Sequence, residues 1–239
     1  MQDTIKLKIT TLSNLFIGGA PIPFEIGGID QQTATDQEGF PCIPGSSFKG
    51  ALRAVVRMDE SDTRHKIEKL YEDYLDHESE KCICNIQKFV GEAESRKRIE
   101  ENYIQAKKKL SPEYLFGIEG FNNTPKLLFS DLLLCEEYRD KKICFSVDMK
   151  NSIDSSGSAP VSNPRTYKAA RSGLVFEGEI RLHNIGLFDG NANAICKKYL
   201  IHSLAQFNAG VYRLGNSKSR GYGKIKVEII KGEIENDEG

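Results

Sequence analysis

The chain has 239 residues, which is enough for one large domain or two small ones. Its net charge is −1, so it is not a uniformly basic nucleic-acid binder, and any such site has to be a local patch. No apolar run approaches the roughly 18 residues of a membrane span. The N-terminus lacks the apolar core of a signal peptide. Six scattered cysteines suggest no disulfide framework, and we therefore expect a cytoplasmic protein.

The first part of the chain predicts a strand, a long loop and a helix. Residues 4–11 alternate polar and apolar side chains, which is typical of a half-buried strand. Residues 13–42 are rich in glycine, proline and polar groups, and a loop of this length usually carries function or is disordered. A helix is predicted over 47–58. Its apolar side chains recur at helical spacing: Phe48, Ala51, Leu52, Val55 and Val56.

The start of this helix has the composition of an anion site. Pro44 and Gly45 mark a turn, and Ser46 or Ser47 is a suitable N-cap. The first turn then offers backbone N–H groups, two hydroxyls and Lys49, which together suit a phosphate. The alternative is an ordinary capped helix with a solvated basic face. The basic side chains of that face follow one another at a spacing of four: Lys49, Arg53 and Arg57.

The middle of the chain is highly charged and predicts fewer regular elements. A short helix is expected over 67–75 and a polar, basic helix within 85–110, which is more typical of a solvated face than of a nucleic-acid contact. Residues 126–135 predict a continuous apolar strand, and residues 141–147 predict another. Residues 148–172 are expected to form a second long irregular segment.

The last third of the chain returns to clear periodicity. Residues 173–184 alternate as a strand, and residues 191–210 predict an amphipathic helix that ends at Gly210. A glycine-rich loop over 215–223 precedes a final strand. The regular elements therefore follow a β–α–β order twice, which predicts an α+β fold of the ferredoxin-like or RRM-like type.

Several short motifs follow one another along the chain in a fixed order. They are LFIGG (15–19), IGGID (26–30), IPGSSFKGALR (43–53), LFG (115–117), LFSDLLL (128–134), KNSID (150–154), NPR (163–165) and GNSKSRGYGKI (215–225). These motifs resemble those of the RAMP superfamily of CRISPR-associated proteins. Within it, the chain is similar to the backbone subunit of type III Csm effector complexes. The charged stretch from 68 to 113 departs from the usual pattern.

The resemblance implies an architecture and a set of partners. Residues 1–239 would form a single RAMP domain with an RRM-like palm, a finger-like insertion at 59–125 and a thumb-like insertion at 137–172. Copies of the chain would stack as a filament along a CRISPR guide RNA, together with other type III effector subunits. Complementary target RNA would be cleaved at regular intervals, so the resemblance implies an endoribonuclease.

The resemblance also implies roles for individual residues. It places the catalytic aspartate at Asp30, within IGGID, where the residue pattern alone would favour an ordinary turn residue. Cleavage through the RNA 2′-hydroxyl needs a base and charge neutralisation at phosphate, so Asp30 would act as the base or hold Mg²⁺ or another divalent metal. Asp36 is the nearest alternative carboxylate. The implied RNA contacts are Ser46, Ser47, Lys49, Arg53, Arg57, Arg165, Lys168, Lys218 and Arg220.

A structural zinc site is a further hypothesis. His77, Cys82 and Cys84 form an H-x4-C-x-C motif, and imidazole and thiolate are zinc ligands. The C-x-C spacing is tighter than the usual C-x2-C, and the fourth ligand is open between His65 and Cys42. The alternative is a set of unpaired side chains in a surface insertion.

Other functions remain open from the sequence. The chain could be a structural backbone or capping subunit without cleavage, although the presence of Asp30 favours cutting. A RAMP endonuclease that processes precursor guide RNA commonly relies on a histidine near the first helix, and residues 46–57 contain none. An unrelated RRM-type binder needs aromatic side chains on its central strands, where the sequence offers only Phe129 and Phe176.

Overall fold

The computed structural model describes residues 3–19, 29–86, 93–154, 161–188 and 190–230. Within these ranges the chain forms eight strands and four α-helices, joined by loops and short 3₁₀ turns. The strands are β1 (Thr4–Thr11), β2 (Gln31–Gln32), β3 (Lys126–Phe129), β4 (Leu133–Leu134), β5 (Phe145–Asp154), β6 (Val161–Ala170), β7 (Val175–His183) and β8 (Ile225–Ile229). The helices are α1 (Gly45–Arg57), α2 (Asp62–Ile86), α3 (Ala93–Lys108) and α4 (Ala192–Ala205).

The larger sheet has the strand order β3-β7-β1-β8, with β4 paired to β7. β1 runs antiparallel to β8, and its inward side chains Ile5, Leu7 and Ile9 are buried while Lys6 is exposed. Along the chain, β1, α1, β3, β7, α4 and β8 follow the β-α-β-β-α-β order of a ferredoxin-like fold. The predicted fold class is therefore confirmed.

The smaller sheet has the order β2-β6-β5 and contains a long β-hairpin. β5 and β6 pair antiparallel from Phe145 opposite Ala170 to Asp154 opposite Val161. The prediction of an irregular segment over 148–172 is wrong. Both strands carry many polar residues, so the hydrophobic alternation that identifies a strand is not visible in the sequence.

Three other elements differ from the sequence expectation. α2 has 25 residues instead of the nine predicted, because ion pairs such as Lys69–Asp73 extend a helix whose buried positions are widely spaced. The strand predicted over 126–135 is interrupted, since Leu132 bridges to Ile43 instead of continuing along β7. α1 begins at Gly45, two residues earlier than expected.

The chain divides into two compact units. One contains residues 53–128 and 181–203, and its centre is the fully buried Tyr71, whose hydroxyl donates to the Pro125 carbonyl at 2.8 Å. The other contains residues 2–52, 129–180 and 204–239, with Phe48 packed against Phe129 and Phe207. The arrangement of a single domain with insertions at 59–125 and 137–172 stays a prediction. Among the helices described, none is long and apolar enough to cross a membrane.

An asparagine side chain closes the exposed edge of the larger sheet. Ile230 N–H donates to the Lys6 carbonyl, and in an antiparallel pair only every second residue forms hydrogen bonds with the partner strand. Val227, which lies opposite Ile9, is one of the residues without such bonds, so its N–H and C=O point away from β1. Asn208 Nδ2 donates to the Val227 carbonyl at 3.0 Å, and Val227 N–H donates to Asn208 Oδ1 at 2.7 Å. One side chain thus replaces the missing neighbouring strand.

We expect Asn208→Ala to lower the free energy of unfolding by about 1–3 kcal/mol, because it leaves a donor and an acceptor of Val227 unpaired in a partly buried position. Urea unfolding would measure this as a lower midpoint at an unchanged slope. The matched control is Asn123→Ala at an exposed asparagine. Equal stability of both variants and the wild type would contradict this role.

Candidate nucleic-acid interface

Asp30 lies at the surface and is fixed to β6 through two hydrogen bonds. Its backbone N–H donates to the Thr166 carbonyl at 3.0 Å, and Thr166 N–H donates to Asp30 Oδ2 at 2.6 Å. The side chain is exposed, and among the described residues only Oδ2 of the carboxylate accepts a hydrogen bond. The arrangement orients the carboxylate and keeps an oxygen accessible for a proton or a cation.

The side chain of Asp36, the alternative carboxylate, stabilises the turn that Asp36 begins. Its Oδ1 accepts the backbone N–H groups of Glu38 and Phe40 at 3.0 and 2.9 Å. Its Oδ2 lies 3.1 Å from Arg139 Nη2, whose guanidinium stacks on the Phe40 ring with its carbon 4.5 Å from the centroid. The side chains of Asp36 and Arg139 are each only 12% exposed, so this carboxylate has a structural role.

The start of α1 is less open to an anion than the sequence suggested. Gly45 N–H donates to the Asp131 carboxylate at 2.7 Å, while the N–H groups of Ser47 and Phe48 donate to the Pro44 carbonyl. The prediction of Ser46 or Ser47 as the N-cap is therefore wrong, because the helix already includes Gly45. A Cβ on Gly45 would lie 2.8 Å from a backbone oxygen of Ser130, so only glycine permits this approach. The exposed Ser46, and the half-buried Ser47 and Lys49, lie in the first two turns of α1.

Arg53 and Arg57 are engaged by an acidic side chain of their own unit. Arg57 Nη2 lies 2.8 Å from Glu113 Oε1, and Arg53 Nε lies 3.9 Å from the same oxygen. The Arg53 guanidinium also stacks over the Phe116 ring at 5.2 Å from the centroid. The hydrogen bond to Glu113, and then its charge, raise the pKa of Arg57. The two arginines are therefore partly neutralised before any RNA binds.

The two basic residues predicted on the hairpin lie on opposite faces of β6. Arg165 is exposed and stands opposite Lys150 of β5. Lys168 is three residues further on, so it points to the other face, where its Nζ lies 4.1 Å from the centroid of the Phe145 ring. The structure thus does not bring them together on one surface.

The glycine loop, which we define as residues 215–223, is firmly anchored and presents two cations. Its anchors include the bond from Gly223 N–H to the Asn14 carbonyl at 2.9 Å. Gly223 has a φ of 77°, and a Cβ there would lie 1.8 Å from the Leu214 oxygen. Lys218 and Arg220 lie in a short 3₁₀ turn at the tip, and both are exposed.

A cluster that the sequence did not single out lies beneath this tip. Asp148 accepts hydrogen bonds from the Tyr222 hydroxyl, from Ser146 Oγ at 2.8 Å and from Asn14 Nδ2 at 3.1 Å. Burial alone would raise the pKa of Asp148, but these bonds outweigh it and hold the pKa below its ordinary value. Burial, and then the bond to Asp148, raise the pKa of Tyr222.

Lys150 is the cationic member of this cluster. Its Nζ lies 4.0 Å from the centroid of the Tyr222 ring and 4.3 Å from that of Tyr167, and it donates to Ser217 Oγ at 2.9 Å. Burial, and then the charge of Arg220, lower the pKa of Lys150. The only sequence signal for the cluster is the spacing of Asp148 and Lys150, which puts both side chains on one face of a strand.

Two of the three proposed zinc ligands face different sides of α2. Along a continuous helix, His77 and Cys82 are rotated about 140° apart. The side chain of Cys84 lies outside the described residues. Among the side chains that the structure describes, no group of three histidine, cysteine or acidic residues suits a metal. The zinc site stays a prediction.

The aromatic residues of the competing RRM-type hypothesis are not available for base stacking. Phe176 is completely buried, and Phe129 packs against Phe48 with ring centroids 6.2 Å apart. The larger sheet therefore offers neither of these rings as an open stacking platform of the kind that RRM proteins use.

We expect Asp36→Asn to lower the thermal midpoint by about 2 °C or more, because it weakens the charge pair with Arg139. Asp30→Asn should leave the midpoint unchanged, since the exposed amide oxygen still accepts the Thr166 N–H. Differential scanning calorimetry of the two matched variants would separate the structural carboxylate from the functional one. A larger loss for Asp30→Asn would reverse the assignment.

Comparison with known proteins agrees with the sequence motifs. Over 222 aligned residues the chain is 27% identical to the CRISPR system Cms endoribonuclease Csm3 of Methanocaldococcus jannaschii. The alignment covers 92% of this chain and 75% of the relative. It is also similar to two cryo-EM structures of the type III-B Cmr-beta complex. A chain of the complex bound to cognate target RNA is 18% identical and has a TM-score of 0.50. The match covers 95% of the present chain and 60% of the chain in that structure. The apo structure is 13% identical, with a TM-score of 0.47 and coverage of 95% and 97%.

The family model of the RAMP superfamily matches residues 8–226, from the first strand of the larger sheet to the last. The chain therefore belongs to the RAMP superfamily.

Proposed function

We propose that this chain is a backbone subunit of a type III CRISPR effector complex that binds guide RNA and cleaves complementary target RNA through Asp30. The supporting observation is the exposed Asp30 carboxylate, fixed by Thr166 in a chain that aligns over 92% of its length with a protein named an endoribonuclease. The other partners in this proposal are copies of the chain in a filament and further type III subunits.

The proposed reaction uses the RNA's own 2′-hydroxyl as nucleophile. The hydroxyl oxygen attacks the adjacent phosphorus in line, its proton passes to the Asp30 carboxylate, and the bond to the 5′-oxygen breaks. The products are a 2′,3′-cyclic phosphate and a 5′-hydroxyl, which forms when the leaving 5′-oxygen takes up a proton. In the alternative form of the reaction, Asp30 would hold a divalent ion such as Mg²⁺, which would supply positive charge to offset the negative charge that develops at the phosphate.

Binding of the guide is proposed to rely on backbone contacts. Lys218 and Arg220 at the tip of the glycine loop are exposed cations, and Ser46 and Lys49 add polar groups at the start of α1. Contacts to phosphate fix the position of an RNA without discriminating its bases. Selection of the target would then come from base pairing with the guide.

We expect Asp30→Asn to lower the rate of target cleavage at least about a hundredfold, because it removes a proton acceptor or metal ligand. The assembled complex, guide RNA, labelled complementary target and Mg²⁺ would be incubated, and product spacing and rate measured on gels. Glu179→Gln, at an exposed carboxylate of the same unit, is the matched control.

Guide binding has to be measured in parallel, since the outcomes separate the functions. Lost cleavage with intact guide binding supports a cutting subunit. A wild-type complex that binds guide and target but never cuts indicates a structural subunit without activity. Cleavage that continues in the presence of a chelator would exclude the metal-dependent form of the reaction.

We expect Lys218→Met to weaken binding of single-stranded RNA more than Arg57→Met does. Lys218 is exposed at a loop tip, whereas Arg57 is already bonded to Glu113. Fluorescence anisotropy over a salt series should show the slope of log affinity against log salt falling by about 0.7 for Lys218→Met. Equal losses for both variants would mean that Arg57 leaves Glu113 when RNA binds.

A further inference from the structure

Two side chains of β5 hold the two ends of the turn that carries Lys218 and Arg220. Lys150 donates to Ser217 Oγ at 2.9 Å, just before the turn, and Asp148 accepts the hydroxyl of Tyr222, just after it. The hairpin and the glycine loop, separated by more than sixty residues in sequence, are joined at two points that flank the basic tip.

We propose that Lys150 and Asp148 are positioning residues, which clamp the turn at 217–222 so that Lys218 and Arg220 meet an RNA backbone as a preformed pair. The inference deepens the proposed function and rests on it, because it assumes that the glycine loop contacts RNA. It adds residues to which the RAMP motifs assign no role.

The backbone at the near end of the turn requires support. Ser217 has a φ of 57°, in the left-handed region that residues with a Cβ rarely occupy. Its carbonyl accepts the N–H of Arg220 at 2.9 Å and so closes the turn. The bond from Lys150 holds the side chain of this strained residue, which fixes where the following basic residues project.

The far end of the turn is held through Tyr222. Its ring lies against the Lys150 ammonium at 4.0 Å, and its hydroxyl bonds to Asp148, which Asn14 and Ser146 hold from the other side. The opposite charges of Lys150 and Asp148 compensate one another within the cluster. The half-buried Lys150 therefore supports the tip, while the exposed residues at the tip supply the attraction for phosphate.

A fixed turn strengthens binding without adding a contact. Two long basic side chains on a mobile loop lose conformational freedom when RNA orders them, and a loop that is already ordered loses less. Removing the clamp should therefore lower the affinity for RNA, although neither cation is changed.

Tyr222→Phe tests the clamp because it deletes one hydroxyl and leaves every charge in place. In the free full-length chain, we expect faster hydrogen–deuterium exchange at backbone amides of residues 215–223. Binding of a mixed-sequence single-stranded RNA should weaken by about three- to tenfold, while its salt slope stays unchanged because Lys218 and Arg220 still contact phosphate in the complex. The matched control is Tyr212→Phe, whose half-buried ring packs on Phe207 outside the clamp.

Lys150→Met gives the second, independent test. A clamp predicts faster exchange in the loop and weaker binding at an unchanged salt slope, because the number of phosphate contacts stays the same. Unchanged exchange, with a slope that falls by the roughly 0.7 of one lost phosphate contact, would make Lys150 a direct phosphate ligand and overturn the inference. So would wild-type exchange and affinity in Tyr222→Phe.

Failure of the proposed function gives a different result. If the wild-type chain and its assembled complex bind no RNA, the proposed function and this inference fall together. If the wild type binds RNA and the Tyr222→Phe variant behaves as the wild type, only the clamp is overturned.

Discussion

The antiparallel pairing of β5 with β6 is the constraint on which the candidate site depends. Its register sets Lys150 opposite Arg165, and the neighbouring Thr166 holds Asp30 through two backbone groups. Because strand side chains alternate between faces, a shift of one residue would turn Asp148 and Lys150 away from the glycine loop. The proposed cleaving residue and the proposed RNA-binding loop are therefore both positioned by one hairpin.

Charge is distributed so that a nearly neutral chain still offers local positive surface. Several cations are matched by acids of their own unit, such as Arg57 by Glu113 and Arg139 by Asp36. The exposed tip at Lys218 and Arg220 differs, because the carboxylate of Asp148 accepts the hydroxyl of Tyr222. A chain with a net charge of −1 thereby keeps a small basic feature on an anchored loop.

Two glycines allow the backbone contacts that support this arrangement. Gly45 brings the start of α1 against the carbonyl groups of residues 129–130, where Asp131 accepts its N–H. Gly223 brings the end of the glycine loop against Leu214 and bonds to Asn14. Both lie within the motifs that resemble those of RAMP proteins, and the geometry gives these glycines a physical reason: the backbones approach too closely for any side chain.

The sequence by itself determined the elements whose signal is local: β1, β7, the apolar face of α1 and the existence of α4, although α4 ends at Ala205 and a 3₁₀ turn continues to Gly210. Its ordered motifs also identified the superfamily and selected Asp30. The β5–β6 hairpin, the Asp131 contact at α1 and the Lys150 cluster were decided only by the tertiary structure. Each joins residues far apart in the chain, and polar strands leave no periodic pattern from which such pairing follows.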